Sequence, residues 1–178
     1  IAPMLGVRES RRIVGDYMLT AEDVIEGRTF DDVVAMGGYH IDIHRPNGTW
    51  VESRNVEAYG IPLRCLIARD LEGLMMAGKC LSATHEAVAS TRVIPICMAQ
   101  GQAAGTAAAM AVRRRIPVRD ISVSDLQCRL IEQGAELGQS LTEPDPEVIE
   151  RIGVLPKEEA PSSGDADPVS MVETAWVK

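Results

Sequence analysis

The chain has 178 residues and a net charge of −8, with 46% hydrophobic, 25% charged and only 3% aromatic residues. Those proportions fit a folded soluble domain whose core is built from Ala, Val, Ile, Leu and Met. An acidic chain lacks the broad positive field that displaces counterions from a polyanion, which argues against nonspecific nucleic-acid binding.

The charge is unevenly spread. Up to residue 142 there are 15 bases, all but Lys79 arginine, against 17 acids; from Glu143 onward nine acids meet three bases. The opening "IAPMLGVRES" has no initiator Met and no apolar signal core, so the chain is expected to be a piece of something longer. "GVRESRRIVGDYML" (6–19) reads as a charged strand ending near Gly15 and Asp16. Arg8, Arg11 and Arg12 beside Glu9 face either a substrate or solvent. Thr20 is a predicted helix N-cap, with Asp23 completing the capping box and the helix running to Gly27.

"DDVVAMGG" (31–38) has no clear period. "YHIDIHRPNGTW" (39–50) alternates, with Ile41 and Ile43 on one face and His40, Asp42 and His44 on the other, before a Pro-Asn-Gly turn. This predicts half-buried antiparallel structure. From Tyr59, "YGIPLRCLIARDLEGLMMAGK" holds two apolar runs around a charged turn. The second, Leu74 to Ala77, is expected to be a strand buried on both faces of a parallel-type sheet. After a loop of about 17 residues, a helix is predicted over 96–112, closed by Arg113, Arg114 and Arg115 at the negative end of its dipole. A further helix follows, with Ser124 and Gln127 as its capping box and Leu126, Leu130 and Ile131 on its inner face. The acidic end, 143–178, reads as a flexible tail. Cysteines 65, 80, 97 and 128 show no C-x-x-C spacing, so no metal site is expected, and free thiols suggest a reducing, cytoplasmic setting.

The stretch "THEAVASTRVIPICMAQGQAAGTAAAMAV" (84–112) carries the main question. Gly101 and Gly105 form a small-xxx-small pattern, but Gln100, Gln102 and Thr106 interrupt a span already short for a bilayer, which excludes the membrane reading. Each glycine costs about 1 kcal/mol relative to alanine in a helix interior, so close packing or an approaching ligand must offset that. Pro95 suits a helix start, leaving the N–H groups of Ile96, Cys97 and Met98 directed along the axis at its positive end. A strand ending at Gly78, a polar loop and such a helix start form an anion or cofactor cradle. A ligand-free core helix remains the alternative.

"YGIPLRCLIARDLEGLMMAGKCLSATHEAVASTRVIPICMAQGQAAGTAAAMA" resembles the C-terminal flavin-binding segment of the FAD-dependent oxidoreductase family, glutathione-reductase-like flavoproteins similar to the heterodisulfide reductase A subunit. "GVRESRRIVGDYMLTAEDV" and "YHIDIH" resemble its preceding segment, so the likeness covers about residues 6–135. It implies a mixed α+β or α/β fold: part of an antiparallel substrate or cap region (1–58), the returning strand and helix of a Rossmann-like FAD-binding domain (59–142), and the acidic tail (143–178). Gly78 and Lys79 would lie near the ribityl–phosphate region. Pro95, Ile96, Cys97 and Met98 would aim the helix start at the N1–C2=O edge of the flavin, with Gly101 and Gln102 in the following turns. Relatives often carry an acid where Lys79 stands, so a ribityl hydrogen bond there is not implied. No G-x-G-x-x-G turn follows a strand in this chain.

The resemblance implies hydride transfer between a small organic substrate and FAD, with a missing N-terminal half as partner. The alternative is a non-catalytic fragment or interaction module unable to hold FAD alone, and the isolated chain is expected to be cofactor-free. His85 and Arg92 are the candidate acid–base and anion-clamp residues; a structural histidine and a local Arg92–Glu86 pair are the competing readings. A depressed thiol pKa is expected for Cys97 at the helix start. Exposed apolar faces left by the missing half would favour homo-oligomers.

Overall fold

The computed structural model describes residues 6–9, 11–44 and 51–138. The Pro46–Gly48 turn and the acidic tail lie outside them. In chain order come helix α1 (Ala21–Ile25), strands β1 (Val33–Gly37), β2 (Ile41–His44), β3 (Val51–Arg54) and β4 (Tyr59–Pro62), then helices α2 (His85–Thr91), α3 (Ile94–Arg114) and α4 (Val123–Glu132). Single 3-10 turns occupy Leu63–Cys65, Gly78–Cys80 and Val118–Asp120. The sheets are two antiparallel pairs, β1 with β4 and β2 with β3. The mixture is α+β.

Pairing of β1 with β4 joins the segment before residue 58 to the segment after it in one core. Gly37 faces Tyr59 in this ladder, and a side-chain carbon at Gly37 would enter the Tyr59 ring. The ring itself is fully buried, and its hydroxyl lies 2.6 Å from Ser90 Oγ in α2. Ser90 in turn donates to the Tyr39 carbonyl. Burial pushes the Tyr59 hydroxyl up to about 12, so it stays neutral as a core anchor.

The capping box of α1 forms as expected: Asp23 N–H donates to Thr20 Oγ1, and Thr20 N–H to the Asp23 carboxylate. In β2 Ile41 is buried and His44 exposed, while Asp42 and Ile43 are both half-buried, so the expected antiparallel strand forms but burial falls off along it rather than alternating.

Four further expectations need correction. The described residues of 6–19 form no strand; their ladder contacts are the isolated bridges Gly15 to Ala68 and Leu19 to Ala83, and backbone bonds such as Ile13 N–H to the Cys80 carbonyl and Tyr17 N–H to the Arg64 carbonyl hold the segment along the body. The run Leu74–Ala77 is no doubly buried strand either. It makes one antiparallel bridge, Met75 to Ile67, and Leu74 is 38% exposed. Gly73 and Gly78 at its two ends both take positive φ, 73° and 74°, which turns the chain away before a ladder can extend. The long helix begins two residues earlier than predicted and ends two later, and α2 occupies much of the preceding loop. In α4 the N-cap is Ser122, accepting from Asp125 N–H at 3.2 Å, while the Ser124 hydroxyl merely contacts that of Ser122. That register buries Leu126 and Leu130 but leaves Ile131 41% exposed, because position 131 is rotated about 140° from 126 at 3.6 residues per turn.

Helix α3 packs on β1 and α4 through Ile96, Gln100, Ala103, Ala107 and Ala111. Among the described residues no helix is long and apolar enough to cross a membrane.

Asp23 supplies a pH signature. Burial alone would raise its pKa, but hydrogen bonds from Arg28, the Thr20 N–H and Tyr17 outweigh that and hold it below its ordinary 3.8. A carboxylate with a depressed folded pKa contributes stability above the unfolded value and loses it as pH falls through the folded one. Urea unfolding should therefore show wild type more stable than Asp23→Asn at neutral pH, with the gap closing below about pH 4.

Candidate functional site

The start of α3 is open. Val93 is its N-cap without a side-chain hydrogen bond, Pro95 stands at the second helical position, and Ile94 is 75% exposed. Of the three N–H groups expected to be free, that of Cys97 is taken by the Val93 carbonyl at 3.0 Å, a consequence of the earlier start. The positive end of the dipole thus lies at Ile94 to Ile96.

Around this start the predicted residues divide between two sides. Pro95, Met98 and Gln102 line a cavity of about 530 Å³ shared with β1 (Val34 to Met36) and the stretch Gly134 to Leu137. Gly78, Lys79 and Cys97 lie on the side facing the 3-10 turn Gly78–Cys80. There the Gly78 N–H donates to Gln100 Oε1 at 2.7 Å, and Gln100 Nε2 donates to the Thr91 carbonyl at 3.3 Å. Gln100 is fully buried, so one amide ties both the turn and the end of α2 to α3. Cys97 Sγ comes within 3.7 Å of where a Gly78 side-chain carbon would stand. Lys79 Nζ donates to the Val7 carbonyl at 2.5 Å, anchoring the N-terminal segment. Ile96 is 6% exposed and belongs to the core.

The glycines of α3 do not serve the packing expected of them. A side-chain carbon at Gly101 or Gly105 would meet nothing within 4 Å. With Ile94, Met98 and Val112, each more than two-thirds exposed, they form one uncovered, slender and apolar face of the helix.

Cys97 also departs from expectation. Burial raises its pKa, with Cys80 adding to the rise and the Lys79 ammonium opposing it. The helix start does not make it a ready thiolate.

His85 and Arg92 bracket α2, as its first residue and its C-cap, and converge on a carboxylate not singled out beforehand. His85 Nδ1 donates to Glu9 Oε1 at 2.9 Å; Oε2 is 2.8 Å away but receives no well-directed bond. Arg12 pairs with the same carboxylate. Arg92, with only 10% of its side chain exposed, donates to the Asp42 carbonyl at 2.5 Å and lies 3.9 Å from Glu9 Oε2. The competing Arg92–Glu86 pair is not made; Arg92 takes these longer-range partners. Glu9 stood in view as the lone acid of "VRESRR" with Arg12 three residues on, but His85 and Arg92 sit 76 and 83 residues on, beyond any local pattern. His85 keeps 54% of its side chain in solvent, so the cluster offers a held imidazole with an open edge and an arginine close behind it. Among the described residues no group of three or more His, Cys, Asp or Glu is placed to hold a metal.

Replacing Gln100 with Leu, a side chain of similar size, would strand the Gly78 N–H and the Thr91 carbonyl. Unfolding free energy should fall by about 1–3 kcal/mol, and hydrogen exchange at Gly78 should accelerate more than exchange in β1.

Compared with known proteins, the chain matches the model of the family described as FAD dependent oxidoreductase over residues 1–130. No curated protein and no solved structure matches it.

Proposed function

Because the chain belongs to the FAD dependent oxidoreductase family, whose cofactor is FAD, we propose that it forms the late, C-terminal part of a glutathione-reductase-like, Rossmann-type flavin site, akin to that of the heterodisulfide reductase A subunit. The observation that carries this reading is the start of α3: uncapped, exposed, and continued by a face that Gly101 and Gly105 keep free of side chains. Two glycines in an exposed helix face cost about 2 kcal/mol together against alanine and nothing in the chain's own packing needs them. A flat ring laid against that face would.

The residues fit such a group. Ile94 to Ile96 present the positive helix end, Met98 and Gly101 the apolar surface, and Gly78 with Lys79 the turn beside the phosphate-bearing chain. Bound there, FAD supplies two-electron hydride chemistry with a small organic substrate; the protein's part is to orient and to tune. The helix end stabilises anionic charge by about 0.3–2 kcal/mol, or at most some tens of millivolts for a two-electron couple (about 30 mV per 1.4 kcal/mol). His85, held by Glu9, is the group to hold or move a proton at Nε2, and Arg92 the clamp for a substrate anion.

The chain contains no G-x-G-x-x-G turn for the pyrophosphate. We therefore assign that turn to an N-terminal half, which together with FAD covers the open face of α3. The division at residue 58 then separates a cap region from the Gly78 turn and long helix by role, although the two share a core. The chain alone is expected to be inactive and flavin-free, to act on neither nucleic acid nor membrane, and to self-associate through the uncovered face.

Gly101→Leu discriminates. In this chain the new side chain meets open space, so thermal stability should hold or rise. In the flavin-loaded protein, FAD occupancy should drop at least about tenfold, equivalent to 1.4 kcal/mol. Unchanged occupancy would refute the assignment.

A further inference from the structure

Two thiols converge on one peptide unit, the one joining Ala77 to Gly78. Cys80 closes the 3-10 turn and its Sγ donates back to the Ala77 carbonyl at 3.2 Å. From α3, Cys97 Sγ reaches to within 3.7 Å of the position a Gly78 side chain would fill. Because residue 78 is glycine, no side chain of its own separates the turn from Cys97. The turn cannot drift away, since its Gly78 N–H is fixed at 2.7 Å to the buried Gln100 amide of the same helix. Both cysteines are free and partly exposed, whereas Cys65 and Cys128 are buried. The Gly78–Cys80 turn packs directly against α3.

We propose that Cys80 and Cys97 are a reversible dithiol–disulfide pair, a redox clasp between the Gly78–Cys80 turn and the first turn of α3. The oxidant class is a low-molecular-weight disulfide. The Cys80 thiolate attacks one sulfur of the reagent; its S–S bond breaks, a mixed disulfide forms on Cys80, and one small thiol leaves. The Cys97 thiolate then attacks the Cys80 sulfur, closing the protein disulfide and expelling the second small thiol. Two electrons pass from the cysteines to the reagent, and the two protons lost by the cysteines end on the two small thiols. Lys79, between Gly78 and Cys80, favours the Cys97 thiolate against its burial. The clasp needs no flavin, so it stands or falls separately from the function proposed above.

The test uses the native chain incubated with oxidised glutathione, then alkylated under denaturing conditions and digested with trypsin. The expected product is the peptide 80–92 joined to the peptide 93–113, with the alkylatable thiols falling from four to two. Reduction with dithiothreitol should restore all four. In Cys97→Ser the reaction should stop at glutathione on Cys80. The proposal is overturned if wild-type Cys80 and Cys97 are recovered alkylated or singly glutathionylated, or if either is joined to Cys65 or Cys128.

Discussion

The arrangement of the site depends on one buried amide. Gln100 lies in the middle of a helix face otherwise made of alanine and isoleucine, and it accepts from Gly78 N–H while donating to the Thr91 carbonyl. A buried primary amide left unsatisfied costs about 1–3 kcal/mol, so it specifies a single position for both segments it touches. Through it the 3-10 turn, the end of α2 and the start of α3 become one rigid corner. Gly78 accepts this geometry because its φ of +74° suits glycine and strains other residues.

From that corner the two sides of α3 acquire different roles. One side is closed against β1, α4 and the turn by residues spaced three and four apart. The other is bare, with two glycines and three exposed apolar side chains along it. An uncovered apolar face of this kind marks a surface for another group to cover. Beside α2, Glu9 gathers His85 from its first turn, Arg12 and the nearby C-cap residue Arg92, which draws the N-terminal segment across the same region. Lys79 repeats that connection through the Val7 carbonyl.

Much of this was legible in the residues, though unevenly. The Thr20–Asp23 box and the strand Ile41–His44 are local patterns, and local patterns carry their own hydrogen bonds. The long helix was visible from its alanines, but its start moved to Ile94 because proline tolerates the second position as well as the first. Leu74–Ala77 misled, since an apolar run resembles a buried strand while its flanking positive-φ glycines decide otherwise. Ser124 misled in a similar way: Ser122 offers the same hydroxyl two residues earlier, with Asp125 rather than Gln127 at the third helical position. At Cys97 burial outweighs the lowering effect of the Lys79 ammonium, so the thiol pKa is raised. The Glu9 cluster and the Cys80–Cys97 approach link residues far apart in sequence, so no window of sequence contains them.

The central claim is that the bare start and face of α3 lie against the flavin. Hydrogen–deuterium exchange on the flavin-loaded protein, compared with the same protein stripped of FAD, addresses it directly. Loading should slow exchange most at Ile94, Ile96 and the turns through Gln102, with little change in β2 and β3. Protection confined to other segments, with residues 94–102 exchanging equally in both states, would contradict the account.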